Sequence, residues 1–227
     1  MDTGDEDERS GTVESRAEGE AEKRRRHFSM LRSFALADFV TLANGASGTG
    51  AILLCLAYVE DRQPTLMWTA IALFPAALLF DVLDGSIARW RRKSSMLGAD
   101  LDSLADVISF GVAPAALGYT LGLRGGWDVL MLLYFVGCGI SRLARYNATA
   151  ASLTTESGKV SHYEGTPIPA SLLLVTVLAV AYGTGSVHDA MWLGALELGP
   201  WTWHPLSLMY AASGSAMISA TLKIPKP

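Results

Sequence analysis

The chain is short of cysteine and, past its first 26 residues, short of charge. Its 227 residues hold two cysteines, Cys55 and Cys138, in separate apolar runs. Isolated thiols of this kind read as buried free cysteines, so neither a disulfide framework nor a thiolate metal site is expected. The first 26 residues have no apolar stretch, which argues against a cleavable signal peptide. They are acidic, end in Lys23-Arg24-Arg25-Arg26, and are poor in large apolar side chains, so residues 1–26 are expected to be a disordered polar tail. That tail carries much of the net charge of −4, so the charge says little about partners, and no nucleic-acid partner is expected.

What remains is apolar. Half of the residues are hydrophobic and the mean hydropathy is +0.29. Runs of about 20 apolar residues can be set near 34–58, 66–89, 101–123, 127–147, 167–186 and 203–221. These predict an all-α, polytopic membrane protein whose domain, residues 27–227, is a six-helix bundle. The preceding HFSMLRSF reads equally as a short interfacial helix or as the frayed start of the first span. Six spans put both termini on one side. Of the 18 Lys and Arg residues, only Arg62 and Arg124 then fall on the other side. This asymmetry predicts cytoplasmic termini. Residues 187–202, with Trp192 and Trp201, read as an interfacial loop on the far side.

Against that background, the acids in DVLDGSIARWRRKSSMLGADLDSLAD stand out. An acid near hydrocarbon is costly unless paired or metal-bound. On a helix, Asp81, Asp84, Gly85 and Ala88 share a face, and Asp102 and Asp106 share a face of the next helix. Antiparallel helices would gather four carboxylates at the cytoplasmic end. Such a cluster suits Mg²⁺ or Mn²⁺, and two such ions would favour phosphate as a further ligand. Gly85 and Ala88 leave the backbone open to a nucleotide, and Arg89 can reach a phosphate. The plainer alternative is acids at helix ends satisfied by Arg91, Arg92 and Lys93. A cation transporter is a third reading, but it needs acids along a path, and the far halves of the spans read as lacking them.

The pattern D-x2-D-G-x2-A-R-x8-G-x3-D-x3-D, running from Asp81 through Gly98 to Asp106, resembles the signature of the CDP-alcohol phosphotransferase family. The resemblance implies a six-helix membrane enzyme, commonly a homodimer, that moves a phosphatidyl group from CDP-diacylglycerol to an alcohol and releases CMP. It implies that Asp81, Asp84 and Asp102 bind metal and that Asp106 is the general base, also touching metal. It implies that Gly85, Ala88, Arg89 and Gly98 cradle the nucleotide. Thr41 and Asn44 in DFVTLANG match a nucleotide-contacting motif less fully; polar residues hydrogen-bonded within the bundle would read the same.

The acceptor is read from GISRLARYNAT and HYEGTPIPAS. Arg142, Arg145 and Tyr146 cluster at the end of the fourth span, where an arginine can hold a carboxylate or simply anchor the helix. Glu164 can pair with an arginine or with a substrate ammonium. These blocks, with SLADVISFGVAPA and LKIPKP, resemble the CDP-diacylglycerol-dependent serine transferases of fungal type. That implies L-serine as acceptor, with Arg142 and Tyr146 lining its site. Inositol and glycerol phosphate stay open as alternatives on the residues alone. The membrane is expected to be the endoplasmic reticulum in a eukaryote and the plasma membrane in a prokaryote.

Overall fold

The computed structural model describes residues 36–91, 96–153, 162–164, 166–219 and 223–225, with side chains over 37–87, 97–148 and 166–219. The tail, HFSMLRSF and the side chains of Ala88, Arg89 and Glu164 lie outside the described residues. Helix α1 (Leu36–Asp61) and α2 (Pro64–Arg91) are joined by two residues, so they run antiparallel. Pro64 opens α2, where its missing N–H costs nothing. Helix α3 (Met96–Asp106) runs through a π-helical segment, Val107–Val112, into α4 (Ala113–Leu121). The widened turn has a local cause. Pro114 has no N–H and its ring crowds the carbonyl four residues back, so Ala113 N–H reaches five residues back to Ile108 O. Helix α5 (Gly126–Leu153) follows, then α6 (Leu172–Gly183) behind a 3₁₀ turn, and α7 (Leu208–Ile218) behind another.

The architecture is all-α and polytopic. Four helices, within 37–61, 64–87, 97–121 and 126–148, are long and apolar enough to cross a membrane, and Ile168–Gly183 is a shorter apolar helix. The last helix is shorter than its expected span of 203–221: Trp203 ends a strand and Pro205–Ser207 is a 3₁₀ turn. Two short antiparallel ladders interrupt the helices. In one, β1 (His162–Glu164) pairs with β4 (Lys223–Pro225); in the other, β2 (Leu196–Leu198) pairs with β3 (Trp201–Trp203). The first joins HYE to KIP. Leu53, Leu56, Leu133 and Leu173 are each at least 60 % exposed, as side chains facing lipid would be. The interior is built from Phe74, Phe110, Leu117, Phe135, Leu178 and Tyr210. Tyr210 meets Phe135 edge-to-face at 5.3 Å and donates its hydroxyl to Pro114 O at 2.6 Å, tying α7 to α5 and α4.

The far end is held by one acid. Asp128, in the first turn of α5, is fully buried. It accepts from Gly125 N–H at 2.9 Å, His204 N–H at 2.8 Å and His204 Nδ1 at 2.6 Å. The reading that the far halves of the spans lack acids is corrected here. Asp128 sits at a helix start in a far half, and it closes the bundle end rather than lining a path. Nearby, Trp127 donates to Leu198 O at 3.0 Å, so the tryptophan-rich loop is a docked hairpin. Burial, with Arg62 and Arg124 alongside, lowers the proton affinity of His188, which lies outside the spans. Its Nε2, neutral, accepts from Arg62 Nη1 at 2.8 Å. Asp128→Ala strands the two backbone N–H groups and the imidazole. We expect a loss of about 2–4 kcal/mol, read as a lower Tm in detergent, with kcat of the folded fraction unchanged.

Candidate active site

At the opposite end, α1, α2, α3 and α5 bring polar side chains together. Asp81 from α2 and Asp102 and Asp106 from α3 each offer an oxygen, all within 4.8 Å of one another. The i, i+4 spacing of Asp102 and Asp106 points both at α2, as the sequence periodicity predicts. Asp84 stands outside that trio. It is buried, and its Oδ2 accepts from Thr41 Oγ1 at 2.5 Å. Asn44 Nδ2 donates to Asp106 Oδ1 at 3.2 Å. Ser109 Oγ, in the π segment, donates to Asn44 O at 2.8 Å. Gly48 makes this contact possible, because a Cβ there would lie 2.5 Å from Ser109 Cα.

A cavity of about 240 Å³ opens beside the carboxylates. Asp81, Asp102 and Asp106 form one part of its lining. Arg142, Tyr146 and Asn147 of α5 form another, and Pro167, Ile168 and Pro169 border it. Two expected site residues, Arg142 and Tyr146, therefore share a cavity with the aspartates. Arg145 is exposed and does not line it, nor do Thr41, Asn44, Asp84, Gly85 and Gly98. Sequence reasoning missed Ser103 and Asn147. Asn147 Nδ2 donates to Ser103 Oγ at 3.0 Å, tying α5 to α3 at the cavity wall. Their signal was present: Ser103 lies between the last two aspartates, and Asn147 directly follows Tyr146.

The trio fits a hard divalent cation. Its donors are all oxygen, their mutual repulsion is relieved by a positive ion, and Asp102 Oδ1 is buried without a hydrogen-bond partner among the described residues. Uncompensated burial of a carboxylate oxygen is costly, and a bound ion removes that cost.

Residues 34–202 match the sequence model described as CDP-alcohol phosphatidyltransferase. The chain belongs to the CDP-alcohol phosphatidyltransferase family. Such transferases generally depend on a divalent metal, which accords with the carboxylate trio. Among curated relatives, the CDP-diacylglycerol–serine O-phosphatidyltransferase of Saccharomyces cerevisiae is 42% identical over 88% of this chain and 74% of its own length. The protein of the same name from Mycobacterium tuberculosis is 38% identical over 59% of this chain. An archaetidylserine synthase from Methanothermobacter thermautotrophicus is 36% identical over 63%. The matched regions span 47% and 56% of those two proteins' own lengths.

Proposed function

We propose that this membrane transferase moves the phosphatidyl group of CDP-diacylglycerol to the hydroxyl of L-serine, giving phosphatidylserine and CMP. The observation that carries the reading is one cavity with Asp81, Asp102 and Asp106 on one wall and Arg142, Tyr146 and Asn147 on another. The yeast relative's name supports serine as the acceptor.

Chemistry follows from the two walls. The Arg142 guanidinium suits the serine carboxylate, which would orient the hydroxyl toward Asp106. Asp106 takes the hydroxyl proton as the serine oxygen attacks the lipid-side phosphorus. An O–P bond forms there, and the P–O bond to CMP breaks, so the electron pair leaves on the CMP phosphate. Mn²⁺ or Mg²⁺ held by Asp81, Asp84, Asp102 and Asp106 would supply charge neutralisation for the diphosphate. Gly85, Ala88, Arg89 and Gly98 are assigned to the nucleotide by their places in the motif. Glu164 is kept as a candidate for the serine ammonium; Arg145 is better placed to anchor the helix end. We favour direct transfer of the phosphatidyl group to the acceptor.

On charge asymmetry, we place both termini and this site on the cytoplasmic face, with residues 1–26 a polar tail and 27–227 the transferase domain. The assembly is proposed to be a homo-oligomer built on dimers, in the endoplasmic reticulum or plasma membrane according to source.

The test is CMP release from CDP-diacylglycerol by purified protein with Mn²⁺, measured separately with serine, inositol and glycerol phosphate. Serine alone should support turnover; no serine-dependent CMP overturns the reading. Arg142→Leu should raise the serine KM by about 10–100-fold, the value of a charge-assisted bond of roughly 1.5–3 kcal/mol. The KM for CDP-diacylglycerol should stay unchanged.

A further inference from the structure

We propose that Thr41 and Asn44 are positioning residues that aim Asp84 and Asp106, and that neither touches the nucleotide. Their motif suggested nucleotide contact, but their surroundings argue otherwise. Thr41 is 4 % exposed and Asn44 is fully buried. Each has an aspartate as an acceptor, and Thr41 Oγ1 also lies 3.1 Å from Ala37 O. Thr41 Oγ1 lies 2.5 Å from Asp84 Oδ2, and Asn44 Nδ2 lies 3.2 Å from Asp106 Oδ1. Thr41 and Asn44 are three apart, so they share one face of α1. That face bridges the two helices that carry the acids.

Asn44 is itself fixed from behind. Its carbonyl accepts from Ser109 Oγ, and Gly48, one turn on, lets α1 approach the π segment. The Asn44 amide is held through Nδ2, while its Oδ1 is buried without a hydrogen-bond partner among the described residues. With Oδ1 of Asp106 occupied by Asn44, its second oxygen is left for the cavity. Partners of this kind set the orientation of ligating and basic groups without meeting substrate, and their loss typically costs about 10–100-fold in metal affinity or activity.

The inference rests on the proposed reaction but is tested partly outside it. Thr41→Val, Thr41→Ser, Asn44→Leu and Ser109→Ala would be purified in detergent. Mn²⁺ binding would be followed by paramagnetic resonance, CMP binding at saturating Mn²⁺ by calorimetry, and serine turnover by CMP release. Thr41→Val should weaken Mn²⁺ binding about 10–100-fold, and Thr41→Ser, which keeps the hydroxyl, should restore it. Asn44→Leu should lower kcat by about 10–100-fold with serine KM and CMP affinity unchanged. Ser109→Ala removes one hydroxyl and should lower kcat by about 3–10-fold; it decides the Asp106 half if Asn44→Leu does not fold. The proposal is overturned if Thr41→Val or Asn44→Leu weakens CMP binding while Mn²⁺ affinity and kcat hold. It is also overturned if Ser109→Ala and Thr41→Val leave every readout at the wild-type value. Should the wild type release no CMP with any alcohol, the reaction is at fault, and the Mn²⁺ and CMP arms still judge the positioning role.

Discussion

Asp106→Asn is expected to lower serine-dependent CMP release by about 10²–10⁴-fold, the range for removing a general base, in a protein that folds normally. The substitution is nearly isosteric. An asparagine at 106 can still offer its carbonyl oxygen to Asn44 Nδ2, so the 3.2 Å contact and the α1–α3 crossing survive. What disappears is a proton acceptor at the wall of the cavity and one negative charge of the trio. If the lost charge alone mattered, a large excess of Mn²⁺ would recover the rate. If the proton acceptor matters, the rate stays low at saturating Mn²⁺ and CDP-diacylglycerol. We expect the second outcome, with the serine KM close to wild type. Full turnover by Asp106→Asn would remove the base assignment.

Asp102→Asn should change stability in opposite directions with and without the ion. Three carboxylates within 4.8 Å repel one another, at about 1–3 kcal/mol per close pair for an effective dielectric of 20 or more. Asp102 also carries a buried oxygen with no hydrogen-bond partner among the described residues. Without metal, neutralising it should raise Tm, by about 2–4 °C per kcal/mol in a chain of this size. With Mn²⁺ the order should reverse. The wild type gains about 2.7 kcal/mol at an ion concentration 100 times its Kd, and the variant gains much less. Transfer activity should fall by about 10²–10³-fold, as expected when electrostatic stabilisation is lost from the reacting centre. Thermal scans in EDTA and in Mn²⁺ check this; curves that do not cross would mean that Asp102 is not a ligand. A site residue that destabilises the empty protein is the pattern expected where function and stability conflict.

The long helices and a cluster of aspartates were legible because both rest on periodicity, although four carboxylates were expected together and three share one cluster. Apolar runs of span length located the four long helices to within a few residues, and the i, i+4 step placed Asp102 and Asp106 on one face. Arg142 and Tyr146 were legible as a polar pair at a helix end, and the fold brings them to the same cavity. What escaped depends on contacts between residues distant in sequence. Asn44 and Asp106 are separated by 62 positions, and Ser103 and Asn147 by 44. No local pattern encodes either pair. Asp128 escaped for a different reason: at a helix start it resembles an ordinary first-turn acid, and only His204, 76 positions on, reveals it as a closure. Asp84 shows how far spacing goes, since helical phase placed it near Asp81 but could not anticipate the Thr41 hydroxyl that claims it.

The widened turn at Val107–Val112 works as a phase adjuster. It sits between the carboxylate end of the third span and the buried stretch around Leu117 and Leu121. An α-helix advances about 100° per residue, so one residue absorbed in that turn sets the compass bearing of Asp102 and Asp106 apart from the bearing of the apolar half. The two halves of one span thus answer to separate demands. The lower half can be cut to fit its neighbours, and the upper half can be turned to face a phosphate, without either dictating the other. A shift of one residue in this turn would act as a slipped gear tooth: a bundle of the same shape, with its acids pointing at the wrong helix.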